Sequence, residues 1–264
     1  MHQGQSQIKV TRMSKDQKVV VVGLGEVGKP LLQLFSGTGS VVGIDVTPSL
    51  DDPRGAEVLH LCIPFQIGDF IGEATRYIKL IKPRLTIINS TVEVGTTRKV
   101  ADRTGADVVY SPVRGKHSRM LDDLRKYTKF VGAINQSAAE LAAAHFQSVG
   151  LKTTILSSPE ATELAKLTET TYFGLMIAWA QQVERYADQL GVDYEEVVSF
   201  YDDIGFFPPV KYFPGVIGGH CVMPNIALLK RLEQRFRGRV QFLARAGGSI
   251  VDHGAGNQFN AAVN

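Results

Sequence analysis

The chain has 264 residues, 44% of them hydrophobic, enough apolar material for one large domain or two modest ones. A formal net charge of +3 carried by scattered basic residues calls for neither a nucleic-acid surface nor a membrane patch, and no apolar run reaches spanning length. Two cysteines, Cys62 and Cys221, are too few for a disulfide scaffold and lack metal-site spacing, so each is weighed as a thiol and no metal site is expected.

The polar segment Met1–Gln17 lacks the apolar core of a signal peptide, so the expected location is the cytoplasm and residues 1–15 read as a flexible terminus. Val19–Val22 then enters Gly23-Leu24-Gly25-Glu26-Val27-Gly28, and the apolar run Val41–Ile44 ends in Asp45. This reads as strand, glycine turn, helix and second strand, the unit that binds a dinucleotide. Gly23 permits the tight turn, Gly25 lets backbone approach a pyrophosphate, and Gly28 lets the helix pack close to the strand. Glu26 and Val27 complete the turn, where the helix N-terminus offers N–H groups to phosphate. Asp45 would accept hydrogen bonds from an adenosine ribose and repel a 2′-phosphate, which implies NAD over NADP.

Strand-like runs continue at Val58–Ile63, Leu85–Ile88, Val108–Tyr110 and Phe130–Val131, with helical patterns such as Ile67–Ile81 and Ala138–Ser148 between several of them. That alternation predicts a doubly wound parallel sheet with helices on both faces and a ligand outside the carboxyl ends of the strands. Cys62, Pro64, Ser90, Thr91, Ser111 and Pro112 fall at those ends. His60 sits in an apolar strand pattern and reads as a satisfied core residue. The basic loop Arg114–Arg119 could face an anionic substrate or be plain solvated surface.

At Ser157-Ser158-Pro159 the pattern changes. A Ser-Pro start opens one long helix over Glu160–Leu190, closed at Gly191, with a shorter helix at Tyr194–Tyr201. Leu164, Leu167, Phe173, Leu175, Met176, Trp179 and Val183 give the long helix more apolar surface than one small domain covers, so a homodimer is expected. A Gly/Pro-rich segment leads to Gly218-Gly219-His220-Cys221, helical periodicity resumes over Pro224–Phe236, and residues 245–264 read as a weakly structured tail. The division expected is 16–156 for an NAD-binding domain and 157–244 for a helical dimerisation and substrate domain.

Gly23–Gly28, Cys62-Ile63-Pro64, Ser90-Thr91-Val92-Glu93-Val94-Gly95-Thr96-Thr97, Ser111-Pro112, Glu163-Leu164-Ala165-Lys166-Leu167 and Gly218-Gly219-His220-Cys221 occur in one order over Lys18–Leu229. In this series the sequence resembles the UDP-glucose/GDP-mannose dehydrogenase family, which oxidises the C6 alcohol of a nucleotide sugar to a carboxylate with NAD. The resemblance implies a Rossmann-type sheet followed by a mainly helical domain with a long spine helix, which forms the dimer core in that family. Cys221 matches the family nucleophile that attacks the aldehyde from the first oxidation; a neighbouring histidine favours its thiolate. Lys166 matches the lysine that stabilises the developing oxyanion, and Thr91 the threonine that helps hold the catalytic water. Lys166 could instead be an exposed helix lysine, Thr91 a helix cap, and Cys62 a small buried hydrophobe.

The departures matter equally. Val113 stands where the family has the glutamate of Ser-Pro-Glu, and Thr170 where it has an asparagine. Asn225 replaces an aspartate, keeping its shape without its basicity. The chain also ends where the family's C-terminal nucleotide-sugar-binding domain would begin. Two classes of function stay open: an NAD-dependent dehydrogenase using Lys166, Cys221, Thr91 and Asn225 on a small-molecule alcohol, or an NAD-binding sensor or accessory subunit with degenerate catalysis. A single oxidation, as in the related 3-hydroxyacid dehydrogenases, would need Lys166 but not Cys221.

Overall fold

The four valines Val19–Val22 form β1, and none is more than 1% exposed. β-Branched side chains suit a strand covered on both faces, because their stiff rotamers lose little in an extended chain. The structure, a computed structural model, describes residues 17–46, 51–115, 117–201, 224–229 and 231. Seven strands pair in the order β2-β1-β3-β4-β5-β6-β7, with β2 at Val41–Ile44, β3 at Val58–Leu61, β4 at Leu85–Ile88, β5 at Val108–Tyr110, β6 at Lys129–Ala133 and β7 at Thr153–Leu156. Alternate valines of β1 enter opposite cores. Val19 and Val21 join Leu31, Phe35 and Phe146, whereas Val20 and Val22 join Leu59, Phe70 and Tyr110.

The α/β, doubly wound, Rossmann-type architecture is present, with two differences from the sequence reading. β7 is an additional strand; its side chains are half-buried or exposed, so it lacks the apolar run that marks the inner strands. β6 runs antiparallel to β5, through Val109 opposite Ala133 and Tyr110 opposite Gly132, while the other neighbours are parallel. Apolar periodicity does not encode strand direction, and this reversal starts β6 at the rim where β5 ends.

Helices α1 (Gly28–Phe35), α2 (Phe70–Ile81), α3 (Thr96–Thr104), α4 (Met120–Lys126) and α5 (Gln136–Gln147) fill the connections. α2 starts three residues later than periodicity predicts, because Gly68 at φ +98° breaks the chain and the Asp69 carboxylate caps Gly72 N–H. The long helix is α6 (Pro159–Leu190), opened by Ser158 Oγ accepting from Ala161 N–H at 3.1 Å and followed by Gly191 at φ +68°. Its first turns press on β6: a Cβ at Gly132 would lie 2.2 Å from Thr162 Oγ1 and 2.5 Å from the Ser158 carbonyl. α7 (Tyr194–Ser199) is capped by Asp193. The chain divides into two compact units at Lys166–Leu167. Among the described residues no helix is long and apolar enough to cross a membrane.

Candidate functional site

The first unit gathers its polar residues at the carboxyl ends of β1 to β5. At the fingerprint turn Gly23 has φ +88°, and a Cβ there would lie 2.9 Å from the Cys62 carbonyl carbon and oxygen. A Cβ at Gly28 would lie 1.8 Å from the Gly23 oxygen, so both positions exclude every other residue. Gly25 is different: nothing lies within 4 Å of its notional Cβ. Its carbonyl already accepts from Lys29 N–H at 3.1 Å, and the start of α1 at Val27 has no side-chain cap. A helix start without a side-chain cap, beside an open and exposed glycine and at the strand-order reversal, fits a pyrophosphate. Asp45 is exposed at the end of β2, with Oδ1 accepting from Val46 N–H at 2.9 Å, and its carboxylate fits a ribose hydroxyl.

Along the rim, Ser90 Oγ donates to the Ile63 carbonyl at 2.6 Å and thereby ties the end of β4 to the segment after β3. Thr91 is half-buried beside it, and since α3 begins at Thr96 with Gly95 preceding it, Thr91 does not cap that helix. Cys62 is partly buried, and burial pushes its thiol up to about 12, against the opposing pull of the Lys129 charge and the Asn89 amide. Pro64 is exposed.

Three groups at this rim, Glu163, Lys129 and Asn89, are given no individual role by the sequence, although Asn89 is placed at a strand end and Glu163 in the Glu163–Leu167 motif. Glu163, 0% exposed, accepts from Gly95 N–H at 2.6 Å, Thr97 N–H at 2.9 Å and Thr97 Oγ1 at 2.6 Å. Burial raises its pKa, and those donors pull it back. Lys129, 3% exposed, donates to the Ser111 carbonyl at 2.6 Å, the Pro112 carbonyl at 3.0 Å and Asn89 Oδ1 at 3.4 Å. Burial pulls its ammonium down to about 7, and the like charge of Lys166 adds to that. Asn89 Nδ2 donates to the Ile87 carbonyl and to His60 Nδ1, both at 3.1 Å, and His60 Nε2 lies 2.9 Å from His145 Nε2. His60 is thus the satisfied core residue expected. The charged Lys129 opening a strand was the available signal; its buried end follows from the reversed β6.

Lys166 is half-buried on α6, three residues after Glu163. Val113 is 9% exposed and packs in one apolar core with Met120, Leu124 and Val131. Arg114 of the basic loop lies over the rings of Tyr127 and Phe130, at 5.6 and 5.5 Å. In the second unit the two departures meet: Asn225 Nδ2 donates to Thr170 Oγ1 at 2.7 Å, and Thr170 Oγ1 donates to the Leu167 carbonyl at 3.2 Å. Asn225 is 2% exposed. Cys221 and His220 lie outside the described residues. Among the described residues no three His, Cys, Asp or Glu side chains group as metal ligands.

Residues 160–248 match the UDP-glucose/GDP-mannose dehydrogenase family, central domain. The UDP-N-acetyl-D-mannosamine dehydrogenase of Pyrococcus horikoshii is 26% identical, over 92% of this chain and 71% of that protein. The chain spans 61% of the Methanocaldococcus jannaschii protein of the same name, at 24% identity over 81% of this chain. Among solved structures, the Pyrococcus horikoshii UDP-D-ManNAc dehydrogenase superposes with a TM-score of 0.77 at 22% identity, covering 88% of this chain and 68% of that one. A Mycobacterium tuberculosis 3-hydroxyisobutyrate dehydrogenase superposes at 0.70 and 16% identity, covering 88% of this chain and 92% of that one. The chain is thus similar to the central domain of the UDP-glucose/GDP-mannose dehydrogenase family over residues 160–248 and shares its fold with solved nucleotide-sugar dehydrogenases.

Proposed function

We propose that the chain is an NAD-dependent oxidoreductase acting on the alcohol of a sugar nucleotide or a related small anionic molecule. The observation that carries this reading is the open position at Gly25 beside the uncapped start of α1. Gly23, Gly25, Glu26, Val27 and Gly28 would hold the pyrophosphate, Asp45 the adenosine ribose, and Cys62, Pro64, Ser90 and Thr91 the rim toward the nicotinamide. When bound, NAD supplies the acceptor for the hydride leaving the alcohol carbon. Lys166 donates a hydrogen bond to the alcohol oxygen as negative charge develops there. The Cys221 sulfur would add to the aldehyde carbon, loss of a hydride to a second NAD and of the hydroxyl proton would convert that adduct to a thioester, and water positioned by Thr91 would cleave the C–S bond to carboxylate and thiol. Asn225 can orient a group in this sequence but cannot take up its proton.

A single oxidation is the second reading. It is favoured by Val113 lying in an apolar core and by Thr170 and Asn225 forming a neutral pair. The stoichiometry of NADH formation separates the two. UDP-N-acetylmannosamine, UDP-glucose and 3-hydroxy acids should be screened with NAD and with NADP at 340 nm. Two NADH per substrate support the four-electron route, one NADH the single step, and none with any substrate would leave only cofactor binding. NADP reduced faster than NAD would refute the role given to Asp45. The family's dimer core and the exposed Tyr172, Phe173, Trp179 and Tyr186 on α6 support a homodimer, which a monomeric mass by light scattering at micromolar concentration would refute.

A further inference from the structure

The buried carboxylate of Glu163 is not used in the chemistry above, yet it makes three hydrogen bonds between two elements that are. On one side is α6, where Lys166 lies less than one turn further on. On the other is the loop from Ser90 to Gly95, which carries Thr91. Gly95 has φ +92° and no side chain, so α3 has no cap of its own, and Glu163 supplies it from another helix: Gly95 N–H, Thr97 N–H and Thr97 Oγ1 all donate to it. The other end of the loop is held by Ser90 Oγ on the Ile63 carbonyl. Between those anchors Val92 is 0% exposed, so the loop has little room to drift.

Burying a carboxylate this completely is strongly unfavourable unless its oxygens are satisfied. A serine or aspartate in place of Gly95 would cap α3 locally, and an apolar residue at 163 would fill the space. What only the charge on α6 achieves is a fixed distance between α6 and the Thr91 loop, since both carboxylate oxygens are engaged and neither bond can lengthen independently. A second tie joins the same helices nearby, Arg98 Nε to Glu160 Oε1 at 2.6 Å, but Arg98 and Glu160 are 45% and 30% exposed, and such a solvated pair holds little by itself.

We propose that Glu163 is a positioning residue: its carboxylate sets Lys166 against the Ser90–Gly95 loop, so that the oxyanion-stabilising amine and the water held by Thr91 converge on one substrate carbon. This rests on the oxidoreductase reading. In Glu163→Gln one oxygen becomes an NH2 that faces N–H donors, so at least one of the three bonds is lost and an N–H is left against another N–H.

The test uses the full chain and compares Glu163→Gln, Thr97→Val and, as control, Arg98→Ala. Expected are a fall of tenfold or more in kcat for Glu163→Gln, a smaller fall for Thr97→Val, which keeps both backbone bonds, and a change under twofold for Arg98→Ala. NAD affinity by calorimetry should stay within twofold in all three, because the Gly25 turn is untouched. Competitive acetylation of Lys166 with acetic anhydride, read by peptide mass mapping, should change at least threefold in Glu163→Gln, and amide exchange over residues 90–98 should speed up. These two measurements need no turnover, so a wild-type protein without activity would remove the oxidoreductase reading while still scoring the tie. A Glu163→Gln protein with lowered melting temperature but unchanged kcat and unchanged Lys166 acetylation would make Glu163 merely structural and overturn the proposal. If Glu163→Gln does not fold, unchanged kcat and Lys166 acetylation in Thr97→Val overturn it equally.

Discussion

Acidification from pH 7.5 to 5 should remove about 4 kcal/mol of folding stability, a large share of the 5–15 kcal/mol typical of a domain. The cause is the pair of buried histidines. His60 is held well below its ordinary range by burial, then by His145 and Lys129, and burial takes His145 down to about 3. The geometry requires both to be neutral: Asn89 donates to His60 Nδ1, which puts the His60 proton on Nε2, and His145 Nε2 must then accept it at 2.9 Å. Charging either ring would set donor against donor in an apolar core beside Phe35, whose ring stacks on His145 at 4.3 Å.

Because both folded pKa values lie below the unfolded value near 6.5, the stabilisation is complete above about pH 7.5. It is lost as pH falls, each ring contributing up to about 1.4 kcal/mol per unit. Glu163, raised by burial, opposes this weakly at the acid end. On the alkaline side Lys129, lowered to about 7, acts in the same sense: the unfolded chain binds its proton and the fold does not, so stability continues to rise with pH from about 7 to 9. Above 9 the Cys62 thiol, which the fold keeps protonated to about 12, begins to cancel that gain. Urea unfolding midpoints at pH 5, 6, 7.5 and 9 measure the profile. A His145→Phe protein should lose about half of the acid slope whatever its absolute stability. A flat profile between pH 7.5 and 5 would mean that the rings are solvated or charged in the fold.

What the sequence made legible was whatever depends on local pattern. Four consecutive valines, a glycine turn and an acid after the next strand locate β1 and β2 to the residue and place a helix between them, and Ser158-Pro159 locates the start of α6. The strand-end positions of Cys62, Ser90 and Ser111 followed from alternation alone. What was not legible depends on direction and on pairing between distant residues. Lys129 is unremarkable until β6 is known to run antiparallel, which brings its amine to the Ser111 and Pro112 carbonyls. Thr170 and Asn225 read as two separate losses, 55 positions apart, until their side chains are found bonded to each other. Glu163 stands in the sequence only as the first residue of the Glu163–Leu167 motif, because a cap supplied by a distant helix leaves no signature near Gly95.

Alkylation by iodoacetamide at pH 7.5 should modify Cys221 at least about fifty times faster than Cys62. The reactive species is the thiolate. The rise of Cys62 from 9.0 to about 12 cuts its thiolate fraction roughly a thousandfold against an ordinary thiol. Greater intrinsic nucleophilicity of the more basic thiolate returns a factor of roughly twenty, since reactivity scales with about 0.4–0.5 of the pKa difference. The net handicap is therefore roughly fifty before steric exclusion, and the partial burial of Cys62 adds to it. Cys221 is weighed as an ordinary thiol or better, with His220 beside it in sequence and two glycines preceding. Peptide mass mapping of a labelling time course resolves the two sites, and adding NAD should alter the rate at Cys221 more than at Cys62. Equal rates would mean that the Cys62 thiol is solvated and ionisable. Slow labelling at both sites until urea is added would remove the covalent step from the mechanism and leave the one-NADH oxidation, in which Lys166 acts without a sulfur nucleophile.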